Sequence, residues 1–163
     1  MPDTLQRTGR GIQDVFQEHS QAVYRVAYSF MKNPHDSEDA VQEAFLRLLG
    51  AKLSFPDARQ ERAWLIVTVS NVCRDMLKAR WRQHLNLDDQ PEPAAPDHEP
   101  DGVLDAILAL PDKYKAPVYL YYYEGYTVSE IARMLRLPAN TIKTRLSRAR
   151  KALKQQLGGE TDD

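Results

Sequence analysis

The segment from His84 to Asp105 decides how this chain can fold. It holds seven acidic residues and four prolines with no Lys or Arg, and Gln90 to Asp101 contains no Val, Leu, Ile or aromatic side chain. Such a stretch cannot bury enough apolar surface to offset the entropy of ordering its backbone, so it reads as a flexible acidic linker. The 163-residue chain is therefore expected to form two small domains. We place the first at residues 10–84, the linker at 85–101, the second at 102–157 and a disordered tail at 158–163. Abundant Leu, Ala, Glu, Arg and Gln with only seven Gly favours helices, so the expected fold class is all-α in both domains.

In the first domain Ile12, Val15, Phe16, Val23, Val26, Ala27, Phe30 and Met31 recur at helical spacing, predicting one long helix or two shorter ones that stop at Asn33 and Pro34. A second helix is expected from roughly Ser37 to Leu49, with Ala40, Val41, Ala44, Phe45, Leu48 and Leu49 inward and Asp39, Gln42, Glu43 and Arg47 outward. Asp36, Glu38 and Asp39 at its start suit the positive end of the helix dipole, and capping with solubility accounts for them on physical grounds alone. A loop from Gly50 to about Gln60 follows. The next stretch, about Arg62 to Gln83, is apolar at Ala63, Trp64, Leu65, Val67, Val69, Val72, Cys73, Met76 and Leu77. Its β-branched run would suit a strand, yet it is too long and has no internal turn signal, so it reads as a helix. It ends basic, with Arg74, Lys78, Arg80 and Arg82 opposed only by Asp75. Trp64 and Trp81 among these cations are either ordinary core and helix-end residues or a stacking platform for single-stranded bases.

The second domain opens with a short helix at Val103, Leu104, Ile107, Leu108 and Leu110 that ends at Pro111; another starts at Pro117 and runs to Tyr123. Tyr119 and Tyr121 to Tyr123 are expected to fill the core, and Gly125 to close the helix. From Thr127 to Leu153 two helices joined by a tight turn are predicted. Thr127 and Glu130 have capping-box spacing, and Val128, Ile131, Ala132 and Leu135 share one face. Arg136 stands where such helix-turn-helix units often carry Gly, and a positive φ there costs on the order of 1 kcal/mol. After Leu137 and Pro138 the second helix restarts near Ala139 or Asn140, with Ile142, Leu146, Ala149 and Leu153 inward. Outward it carries Lys143, Arg145, Arg148, Arg150, Lys151 and Lys154, six cations with no acid among them. That face is either solvated or presented to a polyanion.

The net charge of −1 confines any nucleic-acid binding to local patches. Cys73 is the only cysteine, which excludes a disulfide within the chain and any cysteine-rich zinc site. His19, His35, His84 and His98 lack ligand spacing, and no nucleophile grouping or phosphate loop is present, so neither cofactor, metal nor enzyme is expected. No signal peptide or run long enough to span a bilayer is seen, so a cytoplasmic protein without membrane insertion is expected.

Two segments, YRVAYSFMKNPHDSEDAVQEAFLRLL and ERAWLIVTVSNVCRDMLKAR, resemble the second conserved region of bacterial sigma factors, and LPDKYKAPVYLYYYEGYTVSEIARMLRLPANTIKTRLSRARKALK resembles the fourth. The short chain, with no folded domain between them, is similar to the extracytoplasmic-function group of the sigma-70 family. The resemblance implies a subunit that binds core RNA polymerase and directs initiation at promoters. It assigns Asp36, Asp39, Gln42, Glu43 and Arg47 to the surface that docks the clamp coiled coil of the large polymerase subunit. Trp64, Asn71, Arg74, Lys78 and Arg80 match the part that captures a flipped minus 10 base of the non-template strand and its phosphates. Thr141, Lys143, Thr144, Ser147, Arg148 and Lys151 match the surface that reads the minus 35 element in the major groove. An anti-sigma partner is also implied. The rival reading is a stand-alone helix-turn-helix regulator that needs no polymerase; an adaptor and a helical enzyme are further alternatives.

Overall fold

A computed structural model describes residues 6–7, 10–83 and 102–158, and the expected linker at 85–101 and the tail beyond Gly158 lie outside the described residues. The chain separates into two compact units. In the first, the two-residue strands Gln6–Arg7 (β1) and Arg10–Gly11 (β2) pair antiparallel and lead into three helices. These are α1 (Ile12–Met31), α2 (Pro34–Ala51) and α3 (Ala58–Arg82), each packed on the other two.

The helix ends explain where the sequence boundaries needed correction. α2 begins three residues earlier than expected, because Asn33 caps it by accepting from the Asp36 N–H at 2.8 Å and Pro34 occupies the first turn, where a missing N–H costs nothing. Pro34 thus starts a helix as well as following one. α3 likewise begins at Ala58, capped by the Asp57 carboxylate accepting from the Gln60 N–H at 2.9 Å. The β-branched run lies within this continuous helix, as its length predicts.

The core of this unit is apolar at Val15, Val23, Ala27, Ala44, Leu48, Leu65, Ile66, Val69 and Cys73. Fully burying a side chain the size of Leu48 or Ile66 contributes roughly 1.5–3 kcal/mol. Cys73 is a buried free thiol, as expected. Phe16, expected inward, is 46% exposed and meets Phe45 edge-on with ring centroids 4.9 Å apart. Two polar ties cross the helices. His19 of α1 and Glu61 of α3, both fully buried, approach at 3.0 Å between Nε2 and Oε1. Asp36 at the start of α2 is ion-paired with Arg80 near the end of α3 and also accepts from Asn33 Nδ2 at 2.9 Å. Burial pushes the Asp36 carboxyl up, but the bonds from Asn33 and Arg80 and the Arg80 charge together outweigh it and hold the group below its usual range.

The second unit comprises α4 (Gly102–Leu108), α5 (Asp112–Val118), a π-helical turn (Tyr119–Tyr123), α6 (Val128–Leu135) and α7 (Ala139–Gly158). α5 starts five residues before Pro117, so that proline lies inside a helix and not at its start. Lacking an N–H, it cannot bond the carbonyl four residues back, and the wider π-turn follows at once, closed by Glu124 N–H to Tyr119 O at 3.1 Å. Gly125 at φ +83° then turns the chain, with Tyr126 N–H reaching back to Leu120 O at 2.9 Å. Only Tyr119 of the four expected core tyrosines is buried; Tyr121, Tyr122 and Tyr123 are 38–44% exposed, while Tyr126 and Leu120 fill the interior.

Thr127 and Glu130 form the predicted capping box: Glu130 N–H donates to Thr127 Oγ1 at 3.1 Å, and Thr127 N–H donates to Glu130 Oε1 at 2.9 Å. Arg136 does adopt the left-handed conformation expected of the turn, at φ 59°, and Leu137 N–H bonds Ala132 O at 3.0 Å. On α7 Ile142, Leu146 and Ala149 are buried and Leu153 is half-buried. α7 packs on α4, α5 and α6. It extends through Gly158, the first residue assigned to the tail.

Two outcomes test these ties. Glu61→Ala leaves the buried His19 Nε2 without its hydrogen-bond partner, so it is expected to lower the stability of the first unit by about 1–3 kcal/mol in urea denaturation, with the His19→Leu, Glu61→Leu double variant recovering most of the loss. The depressed Asp36 pKa contributes stability that is present above the unfolded-state value of about 3.9 and is lost as pH falls through the lower folded-state value. Arg80→Ala is expected to move the Asp36 titration upward, followed by carboxyl carbon NMR, and to start acid unfolding at higher pH.

Candidate functional site

Three exposed helical faces carry the residues singled out in the sequence. On α2 the outward side chains are Asp39, Gln42, Glu43 and Arg47, all exposed, with Arg47 Nε paired to Glu43 Oε2 at 3.0 Å and His35 Nε2 to Asp39 Oδ2 at 3.5 Å. Exposed pairs of this kind stabilise a helix by only a few tenths of a kcal/mol, leaving these charges cheap to redirect to a partner. Asp36 is set apart from the other four, since its carboxylate turns inward to Asn33 and Arg80. The donor atoms of His35, Asp36 and Asp39 lie within 4.8 Å of one another, a grouping that the spacing of the histidines alone does not suggest. Arg80 already balances Asp36 there, and His35 faces Asp39.

Leu46 was missed. It is 56% exposed and stands one turn beyond Gln42 and Glu43, in the middle of the polar face. Its helical offset of three and four residues from those two was the available signal. Beside this face, α1 and α2 enclose a cavity of ≈ 650 Å³ lined by Phe16, Ser20, Tyr24, Arg25, Glu38, Val41 and Gln42 among others. Burial, with the charge of Glu38 and the neighbouring Tyr28, pushes the Tyr24 phenol up, so it remains a hydrogen-bond donor. The α1 side of this cavity was not read from the sequence, because which α1 residues border α2 depends on how the helices cross.

On α3 the helical repeat puts Trp64, Asn71, Arg74 and Lys78 within an arc of about 80°. Asn71 is exposed and its Oδ1 accepts from Arg74 Nη2 at 2.6 Å, while Trp64 is half-buried with its ring 6.3 Å from Phe55. Arg80 lies about half a turn away from Asn71 and faces α2. Four of these five residues therefore share one face of α3, spread along about 21 Å of the helix, and the fifth is joined to Asp36. Trp81 is 74% exposed, a solvated position and not a core one.

On α7 the buried seam at Ile142, Leu146 and Ala149 turns Thr144, Ser147, Arg148 and Lys151 outward, with Lys143 at one edge and half-buried Thr141 at the other. Lys113 and Tyr114 of α5 meet Asn140, Thr141, Thr144, Arg145 and Arg148 of α7 around a cavity of ≈ 330 Å³. The α5 pair was invisible to sequence spacing, since only tertiary packing brings α5 against α7. Among the described residues no helix is long and apolar enough to cross a membrane.

Residues 15–83 match the family described as Sigma-70 region 2, and residues 101–153 match Sigma-70, region 4. The ECF RNA polymerase sigma factor SigW of Bacillus subtilis (strain 168) is 29% identical over 94% of this chain and 94% of its own length. RNA polymerase sigma factor SigV of the same organism is 31% identical over 88% of this chain and 89% of its own. Among solved structures, the sigma factor RpoE in complex with the anti-sigma factor NepR from Bartonella quintana aligns with a TM-score of 0.67 at 19% identity, covering 91% of this chain and 98% of that one. CnrH, solved in complex with the cytosolic domain of CnrY, aligns at 0.55 and 25% identity over 92% and 89%. With both sigma-70 regions matched in order and relatives aligned over nearly their whole length, this chain belongs to the extracytoplasmic-function (ECF) group of the sigma-70 family of RNA polymerase sigma factors.

Proposed function

We propose that this sigma factor docks core RNA polymerase through the outer face of α2 and selects promoters with two separate surfaces, capturing a minus 10 base at α3 and reading minus 35 with α7. The observation that carries the promoter reading is α7 itself. Its outward side holds cations without an acid, and its inner seam is fully committed to its own unit. Such a helix can enter a major groove without loosening the fold.

In the docking role, Asp39, Gln42, Glu43 and Arg47 share the exposed face of α2 with Leu46. An apolar anchor rimmed by polar groups is the usual anatomy of a protein interface, and the clamp coiled coil of the large polymerase subunit is the proposed partner. Asp36 acts here by holding the start of α2 to α3 through Arg80. At α3, Asn71 supplies amide donors and an acceptor suited to a base edge, with Trp64 behind it and Arg74 and Lys78 beside it for the strand's phosphates. Unstacking one base costs a few kcal/mol, which a pocket and two cations can offset.

At α7, Arg148 is placed to pair with a guanine edge, Lys143, Thr144, Ser147 and Thr141 to read or flank neighbouring bases, and Lys151 to hold a phosphate. Segment 85–101 is the covalent tether between domains 10–84 and 102–157, which lets the two surfaces reach separated elements. An anti-sigma protein that covers these surfaces is proposed as the regulator, and the cytoplasm is the proposed site of action.

Run-off transcription with core polymerase on a pool of upstream fragments tests this. Wild type is expected to give defined starts, and Asp39→Arg, Glu43→Arg to lower them about tenfold or more, a loss of roughly 1.4 kcal/mol or greater in docking. Tight duplex binding without core-dependent starts would instead favour a stand-alone regulator. Arg148→Ala is expected to relax selectivity at a single base pair by about 1–3 kcal/mol, measured by competition among promoter variants.

A further inference from the structure

The cavity between α5 and α7 borders the base-reading face, sharing Thr141, Thr144 and Arg148 with it, and adds Lys113, Tyr114 and Arg145, which base reading does not use. Its lining contributes the cations Lys113, Arg145 and Arg148 and the hydrogen-bond donors Tyr114, Thr141 and Thr144, with no carboxylate among the lining residues. The one acid beside it in sequence, Asp112, is directed elsewhere, to the nearly buried Lys115 at 3.0 Å between Oδ1 and Nζ. The Lys113 ammonium stands 5.4 Å from the centre of the Tyr114 ring, an attraction that narrows the range of positions open to it.

Donors and positive charge without an acceptor carboxylate suit an anion with several equivalent oxygens. When a helix lies in a major groove, the element packed beside it meets the phosphates that wall the groove. We propose that Lys113 and Tyr114 of α5, together with Arg145 of α7, form a cradle for one backbone phosphate of the duplex beside the bases that α7 reads. The inference rests on the reading of α7 as the minus 35 surface and extends that surface to a second helix. The cradle fixes the depth and angle of α7 in the groove, and contributes affinity that is the same for every base sequence.

The test uses holoenzyme reconstituted from the full chain and core polymerase on a promoter fragment recovered from the run-off pool. Binding is measured across a salt series for wild type, Lys113→Ala, Lys113→Arg and the Lys113→Ala, Arg145→Ala double variant. Because the cradle holds one phosphate, the double variant is expected to lower the magnitude of the slope of log K against log salt by about 0.9, and Lys113→Ala by no more than that. Affinity should fall by the same factor on fragments altered at minus 35, with Lys113→Arg keeping the wild-type slope. Lys113→Gln, which retains the side-chain stem, replaces the alanine variant if that variant loses its cooperative thermal melt. A wild-type slope and affinity for the Lys113 and Arg145 variants would overturn the cradle while leaving the promoter reading intact. Loss confined to one promoter sequence would also overturn it, by showing base contact in place of phosphate contact. Wild-type holoenzyme indifferent to every upstream base pair would sink the minus 35 reading, and the cradle with it.

Discussion

Each unit must build its core from a handful of helices, so every helix has to surrender one complete face to its own neighbours. In the first unit that demand is met by α1, α2 and α3, each packed on the other two, with Leu48, Leu65 and Ile66 shut off from solvent. In the second it is met by Ile107, Leu120, Ile131 and Ile142 around the inner seam of α7. The remaining faces contribute little to folding and are free to carry charge. The polar face of α2 and the cations on α7 are both such faces, which is how a small chain can be stable and still devote much of its surface to partners.

Packing of side chains between apolar faces favours a small set of angles between helices, and polar ties add to that specification. His19 and Glu61 meet in a fully buried setting and tie α1 to α3. Asp36 and Arg80 do the same for the start of α2 and the end of α3. In the second unit the backbone performs this task, through the capping box at Thr127 and the left-handed Arg136, which together fix how α6 hands the chain to α7. An arginine at φ 59° stores about 1 kcal/mol of strain, tolerable because Leu137 N–H and the buried seam of α7 hold the turn from both sides.

Much of this was legible in the sequence because it is local. Helical period, the Thr127 to Glu130 spacing and the inward set of α7 depend on residues within one or two turns of each other, and they agree with the structure apart from residues such as the half-exposed Phe16 and the half-buried Leu153. The boundaries that moved did so where a cap competes with a breaker: Asn33 and Asp57 open helices earlier than the apolar pattern begins, and Pro117 sits within a helix that relaxes into a π-turn. The tyrosines illustrate the opposite limit. Hydrophobic bulk placed four of them inside, whereas the twist of the π-turn admits Tyr119 and sends the next three residues of that type toward solvent.

The sequence by itself therefore determined the all-α class, the division at the acidic segment, the helix-turn-helix and the family, since these follow from composition, periodicity and motif order. Only the tertiary structure decided which charged residues are available and which are already engaged. Arg80 and Asp36 belong to different expected surfaces and are distant in the chain, yet they neutralise one another across α2 and α3. Leu46 emerges among the polar residues of the α2 face, and Lys113 and Tyr114 come to stand beside Arg145 and Arg148. The physical reason is the same in each case: a side chain's role depends on what faces it across a helix contact, and helix contacts are set by packing between segments far apart in sequence.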